Sequence, residues 1–161
     1  MQIKGKQIRD NTVTGDDVNE DTLILKYFTT HKYTNTSGND EKLIKFNAAG
    51  SDNTGGSQVN NKFVAPANGK LIKIMFRSTG TPGNTELALL KITNGTENFG
   101  SPISPVSDVS IDAATANTTY VGVFSTNNTF NAGDVLGIRI NPANNHGNVD
   151  LTIVWEFDWN S

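Results

Sequence analysis

Two histidines, one acidic cluster and a few scattered carboxylates are all that this 161-residue chain offers to chemistry. Neither His31 nor His146 has a second histidine four residues away, the spacing that lets two imidazoles share a metal. His31 alternates with Lys32 and Tyr33 in a strand-like run and His146 lies among Asn and Gly, so both read as surface residues. The acids Asp16, Asp17, Glu20 and Asp21 lack the glycine-punctuated order of a calcium loop and read as a solvated turn. Glycoside hydrolysis needs two carboxyls facing one cleft. Glu86, Glu156 and Asp158 are available, but Glu156 and Asp158 share the wet face of one strand, where solubility explains them. There is no Gly-x-Ser-x-Gly elbow, phosphate loop or dinucleotide fingerprint. With no cysteine there are no disulfides, thiolate nucleophiles or cysteine-ligated metals. The expectation is a protein with no catalytic residue, no metal and no cofactor, and not an enzyme.

The elements that would carry these residues are short strands. Segments 22–33, 41–46, 61–64, 70–78, 86–93, 106–111, 120–125, 135–140 and 150–159 are rich in β-branched and aromatic residues. Runs such as NTSGND, TGTPGN and NPANNHGN between them are turn chemistry. No window carries a helical stripe, so the class is all-β. Leu151, Ile153, Trp155, Phe157 and Trp159 form one apolar face of the last strand, and Ile72, Ile74 and Phe76, like Leu136, Ile138 and Ile140, form others. Leu71, Met75, Ala88 and Leu90 place apolar groups on what should be the second face of their strands, as if another subunit covered them. Eight or nine antiparallel strands of this kind fit a two-sheet jelly-roll sandwich better than a barrel or an immunoglobulin-like sandwich, whose Cys-Trp-Cys core is missing.

Charge narrows the partners. Thirteen basic residues face sixteen acidic ones, the charged fraction is only 18%, and the basic residues are scattered, which argues against nucleic acid. No stretch is long enough for membrane insertion, and no apolar run follows the basic amino terminus, so a secretory signal is not expected. Four Asn-x-Ser/Thr sites, at Asn35, Asn94, Asn117 and Asn127, follow from an Asn- and Thr-rich composition and carry little weight.

Residues 1–25 stand apart as an extended anchor or assembly segment, leaving 26–161 as the head domain. Ile3, Ile8, Val13, Val18 and Leu23 recur every five residues, which matches neither helix nor strand. Such a segment cannot bury a face alone and needs a partner or a second copy. The pattern Ile8-x-Asp10-x-Thr12-Val13-Thr14-Gly15-x-Asp17-Val18, ending in Thr22 and Leu23, resembles connector segments in structural proteins of tailed bacteriophages, including tail fibres, head fibres and capsid decoration proteins. In those proteins the connector often precedes a small β-rich head. The plain alternative is a solvated terminal tail.

A second resemblance concerns the head. The runs KFVAPANGKLIKIMF and FNAGDVLGIRI resemble the opening hairpin and a late turn and strand of complement-head and tumour-necrosis-factor-like jelly rolls. There Gly133 would take the tight turn and Asp134 would hydrogen-bond its backbone. Members of that family are usually trimers whose axis is lined by apolar and aromatic side chains from one sheet. The resemblance implies a homotrimer, with Tyr120, Phe124, Trp155 and Trp159 as residues of the axis or, alternatively, of ordinary core.

Two functions follow as expectations. The first is a virion structural protein, a capsid decoration (cement) or short head-fibre trimer. It would dock through its N-terminus on a major capsid protein or another virion protein and be exposed on the particle. The second is a host-surface binding module of a phage fibre or adhesin, recognising a glycan or protein through its Asn-, Thr- and Gly-rich loops 50–58 and 141–148.

Overall fold

The computed structural model describes residues 24–35, 39–46, 51–53, 60–92, 99 and 104–159. The docking residues Ile3, Ile8, Val13, Val18 and Leu23 lie outside them. The strands are β1 (Ile24–Asn35), β2 (Lys42–Ile44), β3 (Ser51–Asn53), β4 (Phe63–Val64), β5 (Asn68–Ser78), β6 (Gly83–Ile92), β7 (Ser107–Ala113), β8 (Thr119–Val123), β9 (Thr129–Phe130), β10 (Val135–Pro142) and β11 (Gly147–Asp158). Among the described residues no helix is long and apolar enough to cross a membrane.

All pairings are antiparallel. Sheet A runs β1-β11-β5-β8 with β9 beside β5, and sheet B runs β3-β2-β10-β6-β7 with β4 beside β10. Because β2 and β4 pair successive stretches of β10, they act as two pieces of one strand. With the short β3 and β9 set aside, one sheet takes the first, eighth, third and sixth strands and the other the second, seventh, fourth and fifth. That order is a jelly roll, in which the chain crosses to the other sheet after every long strand except β6, which is followed by its own neighbour β7.

The core lies between the sheets. Val149, Leu151, Ile153, Trp155 and Phe157 of β11 point into it, opposite Leu136, Ile138 and Ile140 of β10 and Leu87 and Leu89 of β6. Trp155 is 1% exposed and meets the rings of Phe63 at 5.3 Å and Phe130 at 5.9 Å, both edge-on.

Strict alternation fails in β5. Lys70 faces Glu156 and Leu71 faces Trp155, but the next pair is Lys73 with Val154, so Ile72 is the extra residue of a β-bulge. The expected core row of Ile72, Ile74 and Phe76 is therefore Leu71, Ile74 and Phe76, with Ile72 only half-buried. Asn128 holds the bulge: its buried amide donates to the Leu71 carbonyl at 2.7 Å and its own carbonyl accepts from the Leu71 N–H at 2.9 Å. In the turn before β10, Gly133 has φ +88° and its N–H reaches the Ala65 carbonyl at 2.9 Å. The Asp134 carboxylate accepts from the Asn131 N–H at 2.9 Å.

Ala88 and Leu90 do project from the outer side of sheet B, but no second subunit is needed to cover them. Both are fully buried within the single chain, as is Leu43 on the same side. The ring of Phe99, from the β6–β7 connection, lies over Gly137, and Gly137 is paired with Leu90. A side chain at 137 would collide with that ring. Beside them the buried Arg139 guanidinium bridges Glu41, at 2.9 Å, and Glu86. Among the described residues, Phe99 thus covers part of this face from within the chain.

Candidate assembly interface

The outer side of sheet A has no such cover among the described residues. Its register sets side chains from β1, β11, β5 and β8 in rows across the sheet. One row is Phe28, Val154, Lys73 and Val123, and the next is Thr30, Thr152, Met75 and Val121. Phe28 is 71% exposed, Val123 61% and Val121 47%, exposed apolar side chains on the two edge strands with Val154, Lys73, Thr152 and Met75 between them. Between Phe28, Val154, Met75 and Thr152 lies a shallow depression of about 400 Å³ with Lys26 and Lys73 on its rim.

Ionic rows flank these two. On one side Lys26, Glu156 and Lys70 stand in line, with Lys70 and Glu156 2.7 Å apart; on the other, Lys32, Asp150 and Arg77, with Lys32 and Asp150 3.3 Å apart. Arg77 also donates through Nε to the Asn117 carbonyl at 2.9 Å. Counting Asp158 on the same side, five cations face three carboxylates here, although the whole chain has a net charge of −3. This face therefore carries a net positive charge on an acidic protein.

Around the edge of β1, the sheets part into an aromatic notch of about 370 Å³ lined by Tyr27, Phe46, Phe63, Trp155, Phe157 and Trp159, among others. Tyr27 and Trp159 are each 45% exposed and 6.4 Å apart, and Tyr27 sits 5.7 Å from Phe157. Tyr27 points toward the interior side of its strand and is half-exposed because β1 is the sheet's last strand.

Of the residues expected at an axis, Trp155 and Phe124 are buried in the core of the single chain. Tyr120 is half-buried, stacked on Phe76 at 5.7 Å, with its hydroxyl bonded to Thr115. Only Trp159 is substantially exposed. The residues that do form the open face are Phe28, Val121 and Val123. The signal for them was the adjacent aromatic pair Tyr27-Phe28, which in a strand must send one ring to each side.

The histidines differ from expectation. His31 is half-buried, with Nδ1 2.9 Å from the Lys45 carbonyl and its ring edge-on to Phe46 at 5.0 Å; burial lowers its pKa. His146 is 1% exposed, because the β10–β11 turn folds inward with the His146 carbonyl accepting from Ser78 Oγ and from the Gly80 N–H at 3.2 Å. Its ring is edge-on to buried Tyr33 at 5.2 Å. Burial first, then the nearby Lys42 ammonium, pulls the His146 pKa down to about 4; the Asn144 backbone and Asp40 oppose the shift. Burial likewise raises the Tyr33 pKa. Among the described residues no group of three His, Cys, Asp or Glu side chains is placed to hold a metal.

No protein-family model matches the chain, and no curated protein matches it. Among solved structures it is similar to a chain of Desmodium yellow mottle tymovirus, at 10% identity, with 84% of this chain and 86% of that one covered and a TM-score of 0.34. It is also similar to an arabinose-bound MgGH51 α-L-arabinofuranosidase, at 13% identity, with 80% of this chain covered and a TM-score of 0.33. The match spans only 23% of the arabinofuranosidase chain. Neither likeness bears on activity or partner.

Proposed function

We propose that this chain is a non-enzymatic structural protein of a virion, of the capsid-decoration or short head-fibre type. It docks through residues 1–25 on a capsid or other virion protein and presents the jelly-roll head as a homotrimer. One observation carries the reading: among the described residues the outer apolar side chains of sheet B are buried within the chain, whereas on sheet A Phe28, Val121 and Val123 stand exposed. Burying those side chains against two further copies removes them from water, at about 25 cal/mol per Å² of apolar surface. The five-residue apolar repeat upstream supplies an attachment distinct from the head.

The test uses shells assembled without this protein. The intact chain should bind them and cross-link there in threes, while a form lacking residues 1–22 should stay in solution and, by light scattering, associate as a trimer. Undiminished shell binding by the shortened form would end the docking assignment. A shortened form that stays monomeric at every concentration would end the trimer.

The notch favours a second reading. Trp159 and Tyr27, half-exposed beside each other, are the aromatic platform that a host-surface glycan would stack on. A glycan array probed with the intact protein checks it, and signal that Trp159→Ala does not reduce would remove the platform.

A further inference from the structure

On the Lys32 side of sheet A the outer face dips into an open depression of about 470 Å³. That lies within the roughly 300–1,000 Å³ range of small-ligand sites. Its lining comes from four adjacent strands: Thr30 and Lys32 of β1, Asp150 and Thr152 of β11, Met75 and Arg77 of β5, and Thr119 of β8. Arg77 is tethered at one end of its guanidinium. Its Nε–H donates to the Asn117 carbonyl at 2.9 Å, and the Asn117 N–H is itself held by the Ser78 carbonyl at 2.7 Å. The two terminal amino groups of Arg77 have no protein partner among the described residues. Asp150 stands between Lys32 and Arg77 in the register and pairs with Lys32 at 3.3 Å. The depression thus holds two cations and one carboxylate, a surplus of one positive charge.

We infer that this depression binds an acidic sugar, a pyranose carrying one carboxylate, with the carboxylate on the Arg77 fork and the ring hydroxyls on the threonines and Asp150. Each part of the lining argues for that class. A planar carboxylate matches the parallel N–H groups of a guanidinium. The single surplus charge suits a monoanion, and Asp150 repels the second charge of a phosphate monoester. Three threonine hydroxyls each donate and accept, and the Asp150 carboxylate accepts, which is the complement of a ring of hydroxyls. Half-buried Met75 supplies an apolar floor for the C–H face of the ring. The aromatic notch at the edge of β1 is lined by no charged residue, so it offers nothing to hold a carboxylate.

The inference goes beyond the virion reading and needs neither a shell nor a docking segment. The depression is open and its contacts are few, so one copy binds weakly. A particle carrying many copies would hold a polysaccharide far more tightly, because each further contact forms at a high effective concentration. Thr30, Thr152 and Met75 share a row with Val121, so three copies meeting on Phe28, Val121 and Val123 would crowd the depression. The test therefore compares the parent with Phe28→Ser, a position outside the lining.

Both full-length proteins are titrated by amide NMR into the mM range with the methyl glycosides of glucuronic acid, galacturonic acid and N-acetylneuraminic acid. At least one should saturate, with shifts centred on residues 30–32, 75–77, 119 and 150–152. Arg77→Gln should weaken it about tenfold or more, and Arg77→Lys, which keeps the charge and loses the fork, nearly as much. Thr152→Val should weaken it about threefold. Unfolding midpoints of the Arg77 variants should stay at the parent's, since the residue is exposed. Methyl galactoside, without the carboxylate, and acetate, without the hydroxyls, should each bind about tenfold or more weakly than the acid sugar. Saturation of neither protein by any of the three acid sugars overturns the inference. So does binding that Arg77→Gln keeps, or a neutral galactoside that binds as well. Acetate binding as tightly as the sugars overturns it too, and would assign the site to a bare carboxylate such as an acidic side chain of another protein. Binding by Phe28→Ser and not by the parent supports the site and shows that association covers it. Binding by both, with no trimer seen by light scattering, supports the site and removes only the trimer.

Discussion

The two sheets of this jelly roll have the same kind of apolar outer face and treat it in opposite ways. Sheet B carries Leu43, Ala88 and Leu90 outward and buries all three within the chain, with the Phe99 ring lying on Gly137. Sheet A carries Phe28, Val121 and Val123 outward and leaves them between 47% and 71% exposed among charged rows. An apolar residue on the second face of a strand therefore has two physical meanings, a roof contributed in cis or a surface kept for a contact. The strand pattern is the same in both cases; what differs is where a connection comes to rest.

The largest effect should come from breaking the roofed side. Leu90→Ala deletes a fully buried side chain beneath Phe99 and should cost about 2–4 kcal/mol in denaturant unfolding. Val121→Ala on the bare side should change stability by about 0.5 kcal/mol or less. Equal costs at the two positions would mean that the face of sheet A is covered in the free protein.

That contrast also marks how far the sequence could be read. The alternation of β11 announces its core face because every second residue from Val149 to Phe157 is apolar and the rest are largely polar. The turn at Gly133 and Asp134 is legible for the same reason, since a local chemical requirement dictates the residue type. Ile72 was misplaced because a bulge shifts the parity of β5, and the cause is Asn128, 57 positions away from Leu71. Ala88 and Leu90 looked like an interface because the alternation of β6 does not say where Phe99, nine positions beyond Leu90, comes to rest. His146 looked exposed because its Asn- and Gly-rich surroundings are loop chemistry, while its burial is decided by Ser78 and Tyr33. Open faces and covered ones differ by long-range placement, which residue periodicity does not encode.

Acid should next loosen the end of the sandwich that holds the β10–β11 turn and spare the outer face of sheet A. The His146 pKa lies near 4 in the fold and near 6.5 when unfolded. Above both values the ring is neutral in either state and pH has no effect. As pH falls from 6.5 to 4 the unfolded chain binds the proton and the folded chain does not, so stability drops, by up to about 3 kcal/mol. His31, also lowered, acts in the same direction. The groups around the His146 ring are Tyr33, Lys42 and Asp40, and a protonated ring would stand against the Lys42 ammonium. In His146→Gln the loss between pH 6.5 and 4 should be smaller in urea titrations, and a curve unchanged from the parent would show that this ring is not responsible.

Gly133→Val tests a turn rather than a face and should cost about 1–2 kcal/mol, since φ +88° is strained for a β-branched residue. No heavy atom lies within 4 Å of where its Cβ would stand, so the cost is conformational and not a collision. Gly133→Asn should recover part of it, because Asn tolerates the left-handed region better. Identical losses for Val and Asn would point to something other than backbone strain.

The smallest effect on folding is the one that decides what the bare face is for. Val123→Lys adds a sixth cation to a side that already has five, at a position 61% exposed, and should leave the unfolding midpoint nearly where it was. Its effect belongs on association. In a trimer built on this face, three extra charges converge where water is excluded, and a desolvated like-charge contact costs several kcal/mol. Light scattering of Val123→Lys in the form lacking residues 1–22 should then show monomer at concentrations where the parent form is a trimer. Phe28→Ser should weaken the same association without adding charge, which separates loss of apolar contact from repulsion. If both variants associate as the parent does, the outer face of sheet A is not the trimer surface, and the half-exposed rings at the edge of β1 become the next face to mutate.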